Sequence, residues 1–286
     1  MDYRKKEDFS IIRIPESFTP EDRGKRECCC SFDVIADLTS TDSWHNDITG
    51  VFAKKAKQSD SITWTITKCG TVGALTNLGT AGVYPNEPLG VGFMFDWKQY
   101  LSTYGVGEYT ISIAYTIAGV TRGFAIGKYE LNHYNIGRLD GTIRIKSEFN
   151  SYSLSENFDF TNSNHVDTIR TQGMFGLRKP GTVIANHVDI NRKVLKSTRE
   201  NLNKYDLFCE PVKECSSIRL LDFHFLNEDR CYLTDHNAGN HSYRYLDIPV
   251  YIESVEEPEY HGQSRLATIK ATFGDRKKDQ KSYYNV

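Results

Sequence analysis

Every second residue from Tyr109 to Ile117 is large and apolar: Tyr109, Ile111, Ile113, Tyr115 and Ile117, with Thr110, Ser112, Ala114 and Thr116 between them. A shorter run does the same, with Ile62, Trp64 and Ile66 alternating with Thr63, Thr65 and Thr67. Successive strand side chains point to opposite faces, so this period of two predicts sheets with one dry side. A helix would scatter those positions around its circumference. The segment therefore commits this part of the chain to β-structure.

Punctuation around these runs supports the same reading. Gly70, Gly73, Gly79, Gly82 and Gly90 follow the first run as turn residues. Phe32, Val34 and Ala36 alternate, and Trp44 to Ala53 predicts another short strand. Asp96 to Leu101 predicts one helical turn, and Ala118-Gly119 predicts a hairpin into Arg122–Tyr129. About seven short strands in roughly 100 residues is the pattern of an immunoglobulin-like β-sandwich. The Cys…Trp…Cys spacing of antibody-type domains is missing, so only the architecture is expected.

Asp140-Gly141 opens a second region in which Ile143, Ile145 and Phe149 alternate with Arg144, Lys146 and Glu148. Further strands are expected at 166–170, 182–190, 193–198, 205–210, 231–234, 248–255 and 266–273. Ile218, Leu221 and Phe225 instead recur at helical spacing after Ser216 and Ser217, residues suited to capping a helix start. The expected organisation is an N-terminal arm (1–30), a β-sandwich (31–135), an α+β sheet or barrel carrying one helix (136–275) and a C-terminal tail (276–286). The arm is rich in charge, and only Phe9 to Ile14 within it could form a strand.

Composition excludes more than it assigns. With 39% apolar and 25% charged residues the chain can bury a core. A net charge of −2 gives no electrostatic motive for nucleic-acid or membrane binding as the main role. No apolar run approaches the roughly 20 residues that cross a bilayer, and Met1 to Asp8 lacks a signal-peptide core. Synthesis in a cytoplasm is the expectation, with reduced thiols. The seven cysteines, Cys28, Cys29 and Cys30 among them, then read as small buried groups.

Catalytic and metal signatures are weak throughout. Asp235, His236 and His241 share a short segment with Cys231, but the intervening Asn and Gly residues and the spacing are those of a loop rather than a zinc site. Cys209, Cys215 and Cys231 lack a local partner motif. Glu228-Asp229 and Glu256-Glu257 are adjacent acids of the kind found on solvated turns. Gly90-Val91-Gly92 and Gly105-Val106-Gly107 lack the third glycine and the helix of a dinucleotide fingerprint. Arg144 and Lys146, with the patch Arg192, Lys193, Lys196 and Arg199, read as a solvated polar face. Their alternative use is to line a channel in an oligomer. No catalytic, cofactor-binding or metal residues are expected, and no cofactor.

Two stretches carry a resemblance. Asp96-Trp97-Lys98-Gln99-Tyr100-Leu101 runs into Tyr104-Gly105-Val106-Gly107-Glu108-Tyr109-Thr110-Ile111. Downstream come 216–227, Cys231-Tyr232-Leu233-Thr234-Asp235, Asn240-His241-Ser242-Tyr243-Arg244-Tyr245 and Ile248-Pro249-Val250. Both are similar to segments of structural proteins of tailed bacteriophages of Bacteroidota, including crAss-like phages. The resemblance implies a non-enzymatic virion subunit of the tail, neck ring or head–tail connector, built as a homo-oligomeric ring. Its partners would be copies of itself and other tail, neck or portal proteins. Aromatic anchors for such contacts are expected among Trp64, Trp97, Tyr100, Tyr104, Tyr243 and Tyr245, with core packing as the alternative for Trp64, Trp97, Tyr100 and Tyr104. A carbohydrate- or receptor-binding adhesin module and a cell-wall hydrolase are the competing expectations.

Overall fold

The computed structural model describes residues 12–13, 31–117, 119–135, 139–153, 158–175, 179–188, 190–213, 216–217, 219–225, 230–237, 246–262, 266–275 and 279–280. The first body contains β1 (Ile12–Arg13), β2 (Ser31–Ala36), β3 (Ile48–Lys54), β4 (Ser61–Lys68), β5 (Gly79–Ala81), β6 (Gly90–Asp96), α1 (Trp97–Tyr104), β7 (Gly107–Ile117) and β8 (Val120–His133). The second contains β9 (Thr142–Glu148), β10 (Tyr152–Ser153), β11 (Phe158–Asp159), β12 (Val166–Phe175), β13 (Lys179–Val188), β14 (Val194–Cys209) and β15 (Val212–Lys213). A π-helical segment (Arg219–Phe225) follows, then β16 (Arg230–Asp235), β17 (Ile248–Val255), β18 (Glu259–Tyr260), β19 (Leu266–Thr268), β20 (Lys270–Asp275) and β21 (Asp279–Gln280).

The alternating runs become β4 and β7, antiparallel neighbours in a four-stranded sheet of order β2-β8-β7-β4. Its dry face carries Trp64, Ile66, Tyr109, Ile111, Ile113 and Tyr115, all buried. A second sheet, β1-β3-β6-β5, adds Val51, Ala53 and Phe95 to the same core. Two ladders, β1–β3 and β2–β8, run parallel, a feature that alternation alone does not encode. Helix α1 starts at Asp96, whose carboxylate accepts the Lys98 amide at 3.0 Å, and ends at Gly105, whose positive φ of 78° favours glycine.

The second body is a closed barrel. Its six strands follow the order β12-β9-β16-β17-β20-β14, and β14 returns to β12 through Gly173↔Cys209, Met174↔Phe208 and Phe175↔Leu207. Closure removes the edges that an open sheet would expose. The interior holds Ile143, Ile145, Phe175, Leu207, Leu233, Val250 and Phe273, with Leu220 and Phe225 of the π-helical segment packed among them.

Several boundaries differ from expectation, among them β12, which runs on to Phe175, β13, which spans Lys179–Val188, and Gly79 and Gly90, which lie in β5 and β6 rather than in turns. The 193–198 and 205–210 strands are one continuous strand, β14. The 266–273 strand is split at Ile269. Residues 43–45 form a 3₁₀ turn before β3 begins at Ile48. Of the N-terminal arm, Ile12–Arg13 is described and pairs with Ala53–Lys54.

Candidate functional site

The two bodies meet where β3 lies against β12. Gly50 permits the approach, because a β-carbon there would strike the Val166 carbonyl oxygen and the His165 ring. The Gly50 amide donates to Asp167 Oδ1 at 2.9 Å. Thr168 Oγ1 accepts from the Ile48 amide at 3.0 Å and donates to the Ile48 carbonyl at 2.8 Å. Two clusters of charge are sealed along this seam.

The first centres on Asp47, which is 1% exposed. Its carboxylate accepts from Arg144 Nε at 2.9 Å, from Arg170 Nε at 2.6 Å and from the Ile35 amide at 2.9 Å. Arg144 continues to Asp247 Oδ1 at 2.9 Å and to the carbonyls of Ser43 and Asn46 at 3.1 and 2.9 Å. Its guanidinium is thus matched to acceptors on several segments, the geometry for which arginine is suited. Arg170 Nη1 lies 3.0 Å from His236 Nε2, while Arg170 Nη2 is buried without a hydrogen-bond partner. Burial draws His236 down to about 3, and the positive charge of Arg170 adds to that pull. The imidazole is therefore neutral at ordinary pH.

The second cluster centres on Asp167. Burial raises its pKa, but the opposing pull of Arg219 and His224 is larger, so it is held below the usual carboxylate range. Arg219 clamps both carboxylate oxygens, with Nη2 to Oδ1 at 2.5 Å and Nε to Oδ2 at 3.1 Å. The same guanidinium lies 5.1 Å above the Phe32 ring, linking the π-helical segment to β2. Nearby, the Tyr84 hydroxyl and His165 Nδ1 share a hydrogen bond of 2.8 Å, and burial draws His165 down to about 4. A satellite core of Phe52, Tyr84, Phe149, Phe158 and Phe160 surrounds that pair.

One constellation has the connectivity of an activated nucleophile. Ser147 Oγ is 2.9 Å from His224 Nδ1, and His224 Nε2 is 3.0 Å from Asp167 Oδ2. A serine, a histidine and an aspartate in series can move a proton off the hydroxyl. Here all three side chains are 0% exposed, so a substrate has no route to Ser147 Oγ. The Asp167 carboxylate is also already neutralised by Arg219. In this geometry the relay ties β9, β12 and the π-helical segment together.

The residues singled out by sequence alone fall in several places. Arg144, read as part of a solvated face, is buried at 1% exposure and sits at the centre of the seam. An arginine alternating with isoleucines faces away from the barrel interior, and here that outer face is covered by the first body. Tyr100 is 0% exposed and its hydroxyl accepts the Leu78 amide, so its side chain belongs to the core and offers no surface to a partner. Trp64 and Trp97 are core residues as well. Tyr104 is half-buried against that core, while Tyr243 and Tyr245 lie outside the described residues. Cys28, Cys29, Cys30, Cys215, Glu228, Asp229 and His241 also lie outside them.

Asp235 accepts from the amides of Phe175 and Asn237. Among the described residues, no group of three His, Cys, Asp or Glu side chains converges on a cation position. Burial pushes the Cys209 thiol up to about 12, opposite to the shift a nucleophilic thiolate requires. A cleft of about 180 Å³ between β2, β12 and β15 is lined by Phe32, Asp33, Arg170, Glu210, Lys213 and Leu220, a lining balanced in charge. Among the described residues, no helix is long and apolar enough to cross a membrane. Compared with known proteins, the chain matches no family model and no curated protein sequence.

Proposed function

We propose that this chain is a non-enzymatic virion structural protein of a tailed phage, acting in the tail, neck ring or head–tail connector through contacts with copies of itself and with other virion subunits. The observation that carries the proposal is the seam. Asp47 of the first body pairs with Arg144 and Arg170 of the second, and Asp167, held by Arg219 and His224 of its own body, accepts the Gly50 amide of the first, so the two β bodies are locked together. A subunit under mechanical load needs such a joint, and an enzyme would aim some of those groups at a cavity. The sealing of Ser147, His224 and Asp167 supports the same reading against the hydrolase alternative. The resemblance of 96–111 and of the 216–250 region to phage structural proteins adds the biological setting, with an immunoglobulin-like first body as its finer architectural reading.

Negative-stain imaging and mass photometry of the purified full chain test this proposal. Discrete rings or closed oligomers are expected as concentration rises. A protein that stays monomeric at all concentrations and hydrolyses a polysaccharide or ester substrate would overturn it.

A further inference from the structure

The seam holds its charges in matched numbers. Around Asp47, the guanidinium groups of Arg144 and Arg170 face the carboxylates of Asp47 and Asp247. Around Asp167, the guanidinium of Arg219 faces a single carboxylate. Each cluster stays neutral only while the imidazoles packed into it carry no charge. His236 belongs to the first cluster and touches both bodies. It follows β16 of the barrel, and its ring centroid lies 6.4 Å from those of Trp44 and Tyr134 in the first body. A guanidinium can only donate, so the 3.0 Å contact between Arg170 Nη1 and His236 Nε2 requires Nε2 to accept and places the imidazole proton on Nδ1. A second proton would set N–H against N–H.

The neighbours of His236 offer that proton no counter-charge. Arg170 Nη2 is itself buried without an acceptor among the described residues. Asp47, Arg144 and His45 also act on the ring, but Asp47 is held by both arginines, and His45 lies 3.6 Å from Asp37. Asp235, next in the chain, accepts the Phe175 and Asn237 amides. His165 repeats the arrangement just ahead of β12. Phe52 and Tyr84 of the first body pack on its ring, as do Phe149 and Phe160 of the second. Its charged or titratable neighbours besides Tyr84 are Asp167, Arg219 and His224, and Asp167 is already clamped by Arg219 and bonded to His224. A proton on either histidine places an uncompensated cation in a dry joint.

The joint is also separable. The core around Trp97 and Ile111 draws only on the first body, and the core around Leu233 and Phe273 only on the barrel. The satellite core alone combines the two, with Phe52 and Tyr84 from one side and Phe149, Phe158 and Phe160 from the other. Parting the bodies gives up that satellite core and the Asp47 ion pairs and leaves both main cores whole. We propose that the seam is an acid-released latch, in which proton uptake by His165 and His236 parts the two bodies while each keeps its own fold. Closed, these histidines titrate at about 4 and about 3; exposed, they return to about 6.5. Each therefore favours the parted state by about tenfold per pH unit as the pH falls below 6.5, until its own closed value is reached. The latch is a property of a single chain and does not depend on the assembly reading above.

Hydrogen-exchange protection factors of the full chain, measured by NMR from pH 7.5 to 4.5, test the latch with the intrinsic pH dependence of exchange divided out. The Gly50 and Ile48 amides donate across the seam to Asp167 Oδ1 and Thr168 Oγ1 and report its opening. Ile113 and Ile145, each on a strand paired on both sides, report the two bodies. Over this range the seam amides are expected to lose protection by about a thousandfold or more, while Ile113 and Ile145 keep theirs. In His236→Gln, whose side-chain oxygen still accepts from Arg170, the loss is expected to shrink to about a hundredfold. His133→Gln, at an exposed position, is expected to match the wild type. Seam protection that does not change with pH, that falls only in step with Ile113 and Ile145, or that falls equally in His236→Gln would each overturn the inference. The wild-type profile decides between the first two even where His236→Gln does not fold.

Discussion

Arg144 donates its Nε hydrogen to Asp47 Oδ1 at 2.9 Å, and both side chains are 1% exposed. Arg144 belongs to β9 and Asp47 to the segment leading into β3, so the pair fastens the barrel to the first body. Removing one member of such a pair leaves the other charge buried without compensation. Asp47→Ala is predicted to lose about 3–5 kcal/mol of unfolding free energy in urea, since it strands both Arg144 and Arg170. Asp247→Ala, whose side chain is 18% exposed, is predicted to lose less because water can replace it. Equal losses for the two variants would contradict the ordering.

Acid is predicted to weaken the folded state through its buried histidines. His165 and His236 have folded values of about 4 and about 3, below the ordinary 6.5. The folded chain keeps both neutral, while the unfolded chain takes up protons once the pH falls below about 6.5. Their contribution is therefore complete above that pH and declines as the pH falls toward 4 and then 3. For His165 the shift corresponds to about 3 kcal/mol when fully lost. Asp167, also depressed in the folded state, adds to the loss at still lower pH. Urea midpoints measured from pH 7.5 to 4.5 should fall with acidity, and less steeply in His236→Gln. A flat profile in the wild type would refute this.

Gly50→Ala is predicted to destabilise the joint between the bodies by about 1–3 kcal/mol, the usual cost of overpacking. The added methyl meets the Val166 carbonyl oxygen, a backbone atom that cannot swing aside. Thermal unfolding checks the loss. Gly70→Ala is not an equivalent control, because Gly70 has φ 80° and would add backbone strain.

The strands are legible in the sequence because their signal is local. Tyr109 to Ile117 announces β7 by alternation, and Asp96 before Trp97 announces α1 by its cap. Barrel closure is not legible, because the register of Gly173 against Cys209 depends on strands far apart in sequence. The seam escapes for the same reason. Arg144 reads as an outward polar residue on β9, and only the arrival of Asp47 from the other body makes it interior. Ser147, Asp167 and His224 have no common motif, and their meeting follows from Asp167 lying directly opposite Ser147 in the β9–β12 ladder. The one hint is compositional: Asp167 and His165 flank Val166 at the start of β12.

Barrel closure itself is predicted to depend on Gly173. At this residue β12 leaves β9, its last pair there being Gln172↔Thr142, and joins β14 through Gly173↔Cys209. The switch uses φ 155°, a value that favours glycine, and a β-carbon would run into the Phe208 carbonyl oxygen. The Gly173 amide donates to the Gly141 carbonyl at 2.8 Å, and its own carbonyl accepts from Asn237 Nδ2 at 2.8 Å, which pins the bend from both sides. Gly173→Val adds backbone strain of about 1–3 kcal/mol as well as that collision. The β12–β14 ladder is the shorter of the two formed by β12, so the strain is relieved most readily by parting it. Hydrogen exchange should then accelerate at Phe175, Leu207 and Cys209 while β7 and β8 of the first body keep their protection. Uniform acceleration across both bodies would mean that the two unfold as one unit and that Gly173 does not act locally on closure.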